Sequence, residues 1–192
     1  EKLILDNTPY NNIYRTVIIP SSKVEKIIKH KSIKGVSLTG SDEAGSAVGM
    51  QAGREIKKTV LELGGSDPFI VLDDADISKA AKTAITARFF NTGQSCIAAK
   101  RFLVHEAVYD QFINNVKKDI ENLVVGDALN EETQIGPLAK REFAEDIDKL
   151  VQSSIKDGAK RKVGAEMNGC YYMPTLLIDV TEDMSVFKEE TF

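Results

Sequence analysis

The sequence predicts an α/β protein in which strands alternate with helices. Short runs rich in β-branched and aromatic residues are followed by segments with helical periodicity, and this order repeats along the chain. Strands that are connected through helices pair in parallel, so the pattern predicts doubly wound parallel sheets. A hydrophobic content of 42% and a charged content of 28% are normal for a globular chain of 192 residues.

The first part of the chain is predicted to contain three strands and two helices. The strands are expected at Tyr14 to Ile19, Gly35 to Leu38 and Thr59 to Glu62. Ser22 is the predicted N-cap of the first helix, because Glu25 occupies the capping-box position three residues later. The second helix is predicted to follow the turn at residues 39–41 and to run to about Gly53.

The strand–helix pattern restarts after Gly64-Gly65, and the domain boundary is predicted there, between residues 1–63 and 64–192. Strands are expected at Phe69 to Leu72, at Arg101 to His105 and at Tyr172 to Ile178, the last with Pro174 at an edge position. Helices are expected from Ile77 to Phe90, capped by Asp76, and from Ala107 to Leu123. A further helix is marked by Phe143, Ile147 and Val151 and is expected to stop at Gly158.

Composition excludes several classes of partner. A net charge of −4 argues against nucleic acid or an anionic membrane. No apolar run approaches the roughly 18 residues that a membrane-spanning helix needs. Two cysteines, Cys96 and Cys170, do not form a disulfide framework, so a reducing, cytoplasmic setting is expected. His30 and His105 have no ligand spacing around them, and no metal site is predicted.

Cys96 ends a polar, turn-prone run, residues 91–95, that follows a predicted helix. Such a loop can present the sulfur to a substrate, and the thiolate is a strong nucleophile. Taken alone, an ordinary half-buried thiol is the simpler interpretation. A second motif, Glu62-Leu63-Gly64-Gly65, ends an apolar run upstream and favours the catalytic interpretation.

Glu62-Leu63-Gly64-Gly65, followed by Phe-x-Asn-x-Gly-Gln-x-Cys at residues 89–96, closely resembles the NAD(P)-dependent aldehyde dehydrogenase superfamily. Three further motifs agree: residues 36–41 with Gly45, Gly126-Asp127 with Ile135 to Leu138, and Glu189 to Phe192. The run Glu62 to Leu72 is similar to the succinate-semialdehyde dehydrogenase branch. The resemblance implies a catalytic domain at 64–192 and, at 1–63, the C-terminal part of a Rossmann-like NAD(P)-binding domain.

The resemblance also assigns catalytic roles. Cys96 is implied as the nucleophile, its backbone N–H as one oxyanion donor, and Glu62 as the general base that activates water. The two glycines after Glu62 tolerate unusual backbone angles and would let the carboxylate move. The superfamily's other oxyanion donor lies upstream of Glu1, so Asn91 is expected to brace the cysteine loop instead.

NAD or NADP is the implied cofactor. Gly40 and Ser41 precede a helix whose N-terminus would face the pyrophosphate, and Gly45 would allow close approach of a ligand or of neighbouring backbone. By resemblance Leu63 also belongs to the cofactor site, Glu190 holds the nicotinamide ribose, and Phe192 lies against the nicotinamide. Glu190 and Phe192 sit at a chain terminus, where disorder is common.

The substrate prediction is succinate semialdehyde, with neutral short aliphatic aldehydes as the alternative. Well-known members of the succinate branch carry an arginine directly before the motif asparagine, where this chain has Phe90. Arg88 is near, but on a helix its side chain points elsewhere than that of residue 90.

Two other classes stay open: a cysteine hydrolase or acyltransferase, which needs a histidine near the thiol, and a non-catalytic folded module. Superfamily members are much longer, so the chain is interpreted as a central fragment that is inactive alone. The resemblance implies that its full-length parent is a homo-oligomer.

Overall fold

Strands alternate with helices in the computed structural model, which describes residues 1–10 and 12–192, and the predicted α/β class is confirmed. The chain forms two units, Glu1–Leu63 and Gly64–Phe192. Each contains a pair of parallel strands, β1 with β2 (Gly35–Thr39 and Lys58–Glu62) and β3 with β4 (Asp67–Val71 and Ala99–Val104). In the described part of the chain, no helix has the length and apolar character required to span a membrane.

The first unit packs its second and third helices against the parallel pair β1–β2. Its helices are α1 (Lys2–Asp6), α2 (Val24–Lys29) and α3 (Asp42–Arg54), and a 3-10 turn at Ser21–Lys23 leads into α2. Ile28, Val48 and Ala52 form its buried core, because α2 and α3 turn these apolar positions towards the strands. The predicted positions of both strands and of α3 are confirmed to within two residues.

Two predictions for the first unit are wrong. Residues 14–19 form no strand in the described structure, and Ile18 is 97% exposed. β-branched residues alone do not make a strand, because the backbone also needs a neighbouring strand to pair with. Ser22 does not cap α2: it lies within the 3-10 turn, and no side-chain hydrogen bond caps either the turn or the helix.

The second unit places two longer helices against the parallel pair β3–β4. These are α4 (Ile77–Phe89), which Asp76 caps by accepting a hydrogen bond from the Lys79 N–H at 3.1 Å, and α5 (Tyr109–Glu121). α5 buries Phe112, Val116 and Ile120, which recur at helical spacing along one face of the helix. They pack with Val71 of β3 and with α4 to form the core of this unit.

The last four strands of the second unit pair antiparallel to one another, which the sequence did not predict. After α6 (Arg141–Lys156), the chain forms the antiparallel pairs β5 with β8 (Lys160–Val163 and Leu176–Ile178) and β6 with β7 (Met167–Asn168 and Tyr171–Tyr172), and it ends with α7 (Ser185–Lys188). The single strand predicted at 172–178 is therefore two strands. Pro174 has no N–H to donate, and the Thr175 hydroxyl bonds to Ala165 N and Met173 O, so the ladder is interrupted here.

Serine hydroxyls attach the last helix to the body of the second unit. Ser154, fully buried on α6, accepts a hydrogen bond from Val186 N at 3.1 Å, and the Ser185 hydroxyl donates to Leu150 O at 3.0 Å. These bonds fix the start of the segment that carries Glu190. The chain is therefore anchored four and five residues before that carboxylate.

Candidate functional site

A left-handed turn presents Cys96 to solvent. Asn91, Thr92 and Gly93 have positive φ values of 52°, 59° and 82°, so the chain reverses abruptly after α4. The Asn91 side-chain amide stabilises the turn by donating to Gln94 O at 2.9 Å, which is the bracing role predicted for it. Asparagine adopts this backbone conformation more readily than most residues. The thiol that follows is exposed.

A second loop holds this turn from the other side. The Gly136 N–H donates to Thr92 Oγ1 at 3.3 Å, and the Ala139 N–H donates to Gln94 Oε1 at 3.0 Å. The Ile135 to Leu138 motif therefore lies against the cysteine turn. Its contribution to the site is to hold the loop in place.

The strongest anchor of the cysteine loop is Lys100, at the start of β4, whose side chain is only 1% exposed. Its ammonium donates to the carbonyls of Gly65 (2.6 Å), Ser95 (3.1 Å) and Cys96 (3.2 Å). It also forms an ion pair with Glu190 Oε1 at 2.9 Å. One buried cation thus joins the glycine loop, the cysteine loop and the C-terminal segment.

Glu190 is therefore ordered, although it lies near the chain terminus. Its side chain is 27% exposed, which leaves part of the carboxylate open to a ligand hydroxyl. The absence of a side chain at Gly64 makes room for it, because a Cβ there would overlap Oε2. Neither Gly64 nor Gly65 has a positive φ, so the unusual backbone angles expected of this pair are not observed.

Arg88 lies beneath the cysteine turn and points away from the exposed surface of Phe90. Its guanidinium donates to Thr191 O at 2.9 Å. Burial lowers the pKa of Arg88 to about 10, and the nearby Glu190 carboxylate partly opposes that shift. Phe90 is 68% exposed. As the helix geometry predicted, the two side chains point in different directions.

The predicted cofactor residues of the first unit lie at the carboxyl ends of its two strands. Gly40 follows β1 and donates its N–H to Glu62 O at 3.0 Å, so the turn and the exposed Glu62 are neighbours. Ser41 caps α3 by accepting from Ala44 N at 3.3 Å. Gly45 is buried, and a Cβ there would lie 2.5 Å from Leu63 Cδ2, so a side chain fills the space that the sequence assigned to a ligand or backbone.

The N-terminus of α3 has donors available for an anion. No acceptor for the N–H groups of Asp42 and Glu43 is found in the described part of the chain, as is usual in the first turn of a helix. The carboxylates of the same two residues oppose this attraction. Any attraction for an anion at this end of α3 therefore comes from backbone N–H groups and not from side-chain charge.

A cavity of about 370 Å³ lies on the other side of the cysteine turn, between β4 and β8. Most of its walls are apolar side chains such as Phe102 and Leu176, and Arg88 and Lys100 also line it. Cys96 is not among its lining residues. This cavity is therefore separate from the exposed face of the thiol.

Sequence reasoning missed Lys100 and undervalued Arg88. One signal was available: a lysine directly after the apolar pair Ala98-Ala99 is costly to bury unless carbonyls or a carboxylate surround it. Its partners could not be read from the sequence, because one of them lies 90 residues away.

Comparison with known proteins gives consistent results. The profile of the aldehyde dehydrogenase family matches residues 12–192. The chain is 46% identical over 182 residues to the succinate-semialdehyde dehydrogenase [NADP(+)] of Mycobacterium avium (strain 104), covering 93% of this chain and 39% of that protein. It is 43% identical over 195 residues to the protein of the same name in Deinococcus radiodurans, covering 100% of this chain and 41% of that protein.

Solved structures agree with the sequence matches. The crystal structure of succinate-semialdehyde dehydrogenase from Burkholderia pseudomallei superposes with a TM-score of 0.87 at 34% identity, covering 91% of this chain and 37% of that one. The chain thus spans about two fifths of the length of these relatives.

Proposed function

The chain belongs to the aldehyde dehydrogenase family, and we propose that it supplies the nucleophile and part of the cofactor site of an enzyme that oxidises succinate semialdehyde with NAD(P)+. The names of the relatives support this substrate and a preference for NADP+. Residues 1–192 span only part of the relatives' length, so the activity is proposed for a protein that contains this chain and not for the chain alone.

The observation that carries the proposal is the construction of the Cys96 loop. The thiol is exposed, its backbone is held by Lys100, and no acceptor for the Cys96 N–H is found in the described residues. A free N–H on the nucleophile itself is a common oxyanion donor in acyl-transfer sites. Nucleophile and donor are therefore present on one residue.

The reaction that fits this site begins with attack of the Cys96 thiolate on the aldehyde carbon. A C–S bond forms, the carbonyl π pair moves to oxygen, and the Cys96 N–H stabilises the resulting oxyanion. When bound, the dinucleotide supplies the acceptor for the hydride that leaves this carbon. The carbonyl is restored as a thioester on Cys96.

Glu62 is proposed as the base for the second half of the reaction. It takes a proton from water, the hydroxyl adds to the thioester carbon, and the C–S bond breaks to release the carboxylic acid and the Cys96 thiolate. Its exposed position at the end of β2 is compatible with this role.

The residues proposed to bind the cofactor are Gly40, Ser41, Gly45 and Leu63 of the first unit and Glu190 and Phe192 of the second. The turn at Gly40-Ser41 has free N–H donors immediately after it, at the start of α3, and the Glu190 carboxylate is fixed at one oxygen and partly exposed. Gly45 acts indirectly, because its lack of a side chain is what allows Leu63 to pack there.

A neutral short aliphatic aldehyde is the second candidate substrate. Phe90 offers an exposed apolar ring where succinate-specific members carry arginine, and the guanidinium of Arg88 is engaged with Thr191 O. If succinate semialdehyde is the substrate, a basic group other than the engaged Arg88 would have to bind its distal carboxylate.

The test follows NAD(P)H formation in a full-length protein that contains residues 1–192, beside Cys96→Ala and Glu62→Gln. We expect no turnover with Cys96→Ala, and one burst of NAD(P)H with accumulated thioester for Glu62→Gln. Full activity of Cys96→Ala would exclude the proposal, and release of acid from an ester without NAD(P)H would indicate a cysteine hydrolase.

Three subsidiary proposals accompany this one. The isolated chain is expected to show no aldehyde-dependent NAD(P)H formation. The two free thiols support a reducing, cytoplasmic location. The full-length protein is proposed to be a homo-oligomer, which gel filtration with light scattering would test.

A further inference from the structure

The contacts of Lys100 reach the peptide group that carries the Cys96 N–H. The carbonyl that the ammonium binds at 3.1 Å is that of Ser95, and this carbonyl and the Cys96 N–H belong to one peptide unit. No cis peptide bond is found in the described chain, so the two groups point in opposite directions. The ammonium therefore lies on the inner side of the peptide, and the N–H points away from it.

The Ser95 carbonyl is bound from two sides. Besides Lys100, the Ala98 N–H donates to it at 3.1 Å. The following peptide is also held, because the same ammonium donates to Cys96 O at 3.2 Å. Both peptide planes next to the nucleophile are thus fixed by one side chain.

We propose that Lys100 is a positioning residue that orients and polarises the Ser95–Cys96 peptide, so that the Cys96 N–H is a strong oxyanion donor. A hydrogen bond from a charged donor to a carbonyl draws electron density from the peptide and makes its N–H more acidic. The ammonium acts with little screening because it is almost fully buried. The catalytic part of this inference rests on the proposed function, but the effect on the peptide does not.

The same ammonium is shared with Glu190, and this gives Lys100 a second, separable effect. Loss of Lys100 would free the Glu190 carboxylate as well as the Ser95 carbonyl. A variant with Glu190 neutralised isolates the first effect. The comparison of the single variants with the double variant therefore distinguishes the action of Lys100 on the peptide from its action through the carboxylate.

The sequence offers a direct spectroscopic test. Ser95-Cys96 is the only Ser-Cys pair in the chain, since Gly169 precedes Cys170. Chain labelled with [1-¹³C]serine and [¹⁵N]cysteine therefore gives one carbonyl–amide correlation, from this peptide alone. The other labelled cysteine amide, that of Cys170, is an internal control in the ¹H–¹⁵N spectrum.

Three single variants and one double variant are compared. The single variants are Lys100→Met, Glu190→Gln and the control Lys82→Met, which replaces an exposed lysine on α4. The double variant combines Lys100→Met with Glu190→Gln. We expect the Ser95 carbonyl carbon and the Cys96 amide to shift upfield in both Lys100→Met proteins and to stay in place in the other two. An unmoved Ser95–Cys96 correlation in folded Lys100→Met protein would overturn the proposal.

If Lys100→Met does not fold, the inference is tested with two other proteins. One is the double variant, in which no unpaired carboxylate is left, and the other is the wild-type chain. In the wild type, the Ser95 carbonyl carbon must lie downfield of its position in the urea-unfolded chain, and equal positions would overturn the proposal.

Activity of the full-length protein tests the catalytic consequence. Lys100→Met should lower kcat roughly tenfold, less than the 10²–10³-fold that follows deletion of an oxyanion donor. The same decrease should appear in the Glu190→Gln background, and no decrease there would overturn the catalytic role. A wild-type protein without aldehyde dehydrogenase activity would reject the proposed function, while the peptide shift would still decide the role of Lys100.

Discussion

Gly64→Ala is expected to separate the Glu190 carboxylate from the Lys100 ammonium, whereas Gly65→Ala leaves the pair intact. A methyl group on Gly64 would overlap Glu190 Oε2 and lie 2.9 Å from its Cδ. A methyl group on Gly65 would lie 3.4 Å from Cys96 O, which is an ordinary contact. Neither glycine has a positive φ, so alanine fits the backbone at both positions.

The magnitude follows from the pair that is broken. A flexible glutamate can move away from the methyl group, so the steric term is small and the loss is that of the ion pair. A hydrogen bond to a charged group contributes about 1.5–3 kcal/mol, and the partial exposure of Glu190 places the expected value at about 2 kcal/mol. Replacing glycine by alanine stabilises both variants by about 0.4–1 kcal/mol through the unfolded state, and this gain cancels in the comparison.

The assay is urea denaturation of the three chains under identical conditions, followed by circular dichroism because the sequence contains no tryptophan. The free energy of unfolding of Gly64→Ala should lie ~2 kcal/mol below that of Gly65→Ala. In the full-length protein, the Kd for NADP+ should rise about tenfold for Gly64→Ala and stay unchanged for Gly65→Ala, since about 1.4 kcal/mol of lost binding is tenfold.

Equal stabilities of the two alanine variants would refute this reasoning, because they would show that Glu190 contributes nothing through Lys100. A loss of stability in Gly64→Ala without any change in the Kd for NADP+ would support the stabilising role of the ion pair. The same result would reject the cofactor role of Glu190.

Further substitutions test other parts of the structure. Gly164→Ala should destabilise the chain by ~2–4 kcal/mol in urea, because φ is +72° and a Cβ would overlap a backbone carbonyl, whereas Gly169→Ala, with φ of +61° and open space, should cost only about 1 kcal/mol. Phe112→Ala should lower the free energy of unfolding by about 3–5 kcal/mol in the same assay, since its side chain is 1% exposed. Ile18→Ala, at an exposed position, should leave the free energy of unfolding unchanged. Similar values for the two variants would contradict the assigned core. Asn91→Ala should speed alkylation of Cys96 by iodoacetamide more than Asn91→Gly does, because glycine retains the left-handed backbone at φ 52°; the reverse order would show that the side-chain bond alone holds the loop.

The regular elements were predictable where local pattern and tertiary packing agree. α5 is the clearest case: its apolar positions recur at helical spacing, and Phe112, Val116 and Ile120 are the residues that it buries. The Asp76 cap was recognisable for a similar reason, because a capping side chain bonds to backbone only three residues away. These features depend on neighbours in the sequence.

Elements that depend on a distant partner were predicted poorly. Residues 14–19 have strand composition but find no strand to pair with in the described structure. No tight turn joins β5 directly to β8, because β6 and β7 lie between them in the chain. Strand formation is decided by the partner, and the partner is not encoded in the strand itself.

The sequence by itself determined the family, through motifs at 62–65 and 89–96, and pointed to Cys96 and Glu62 as candidate catalytic residues. Only the tertiary structure decided how the cysteine loop is held. It placed the buried ammonium of Lys100 against Gly65, the loop carbonyls and Glu190, and it turned Arg88 towards Thr191. The physical reason is that burying a charge requires several acceptors at once, and folding collects these acceptors from positions far apart in the chain.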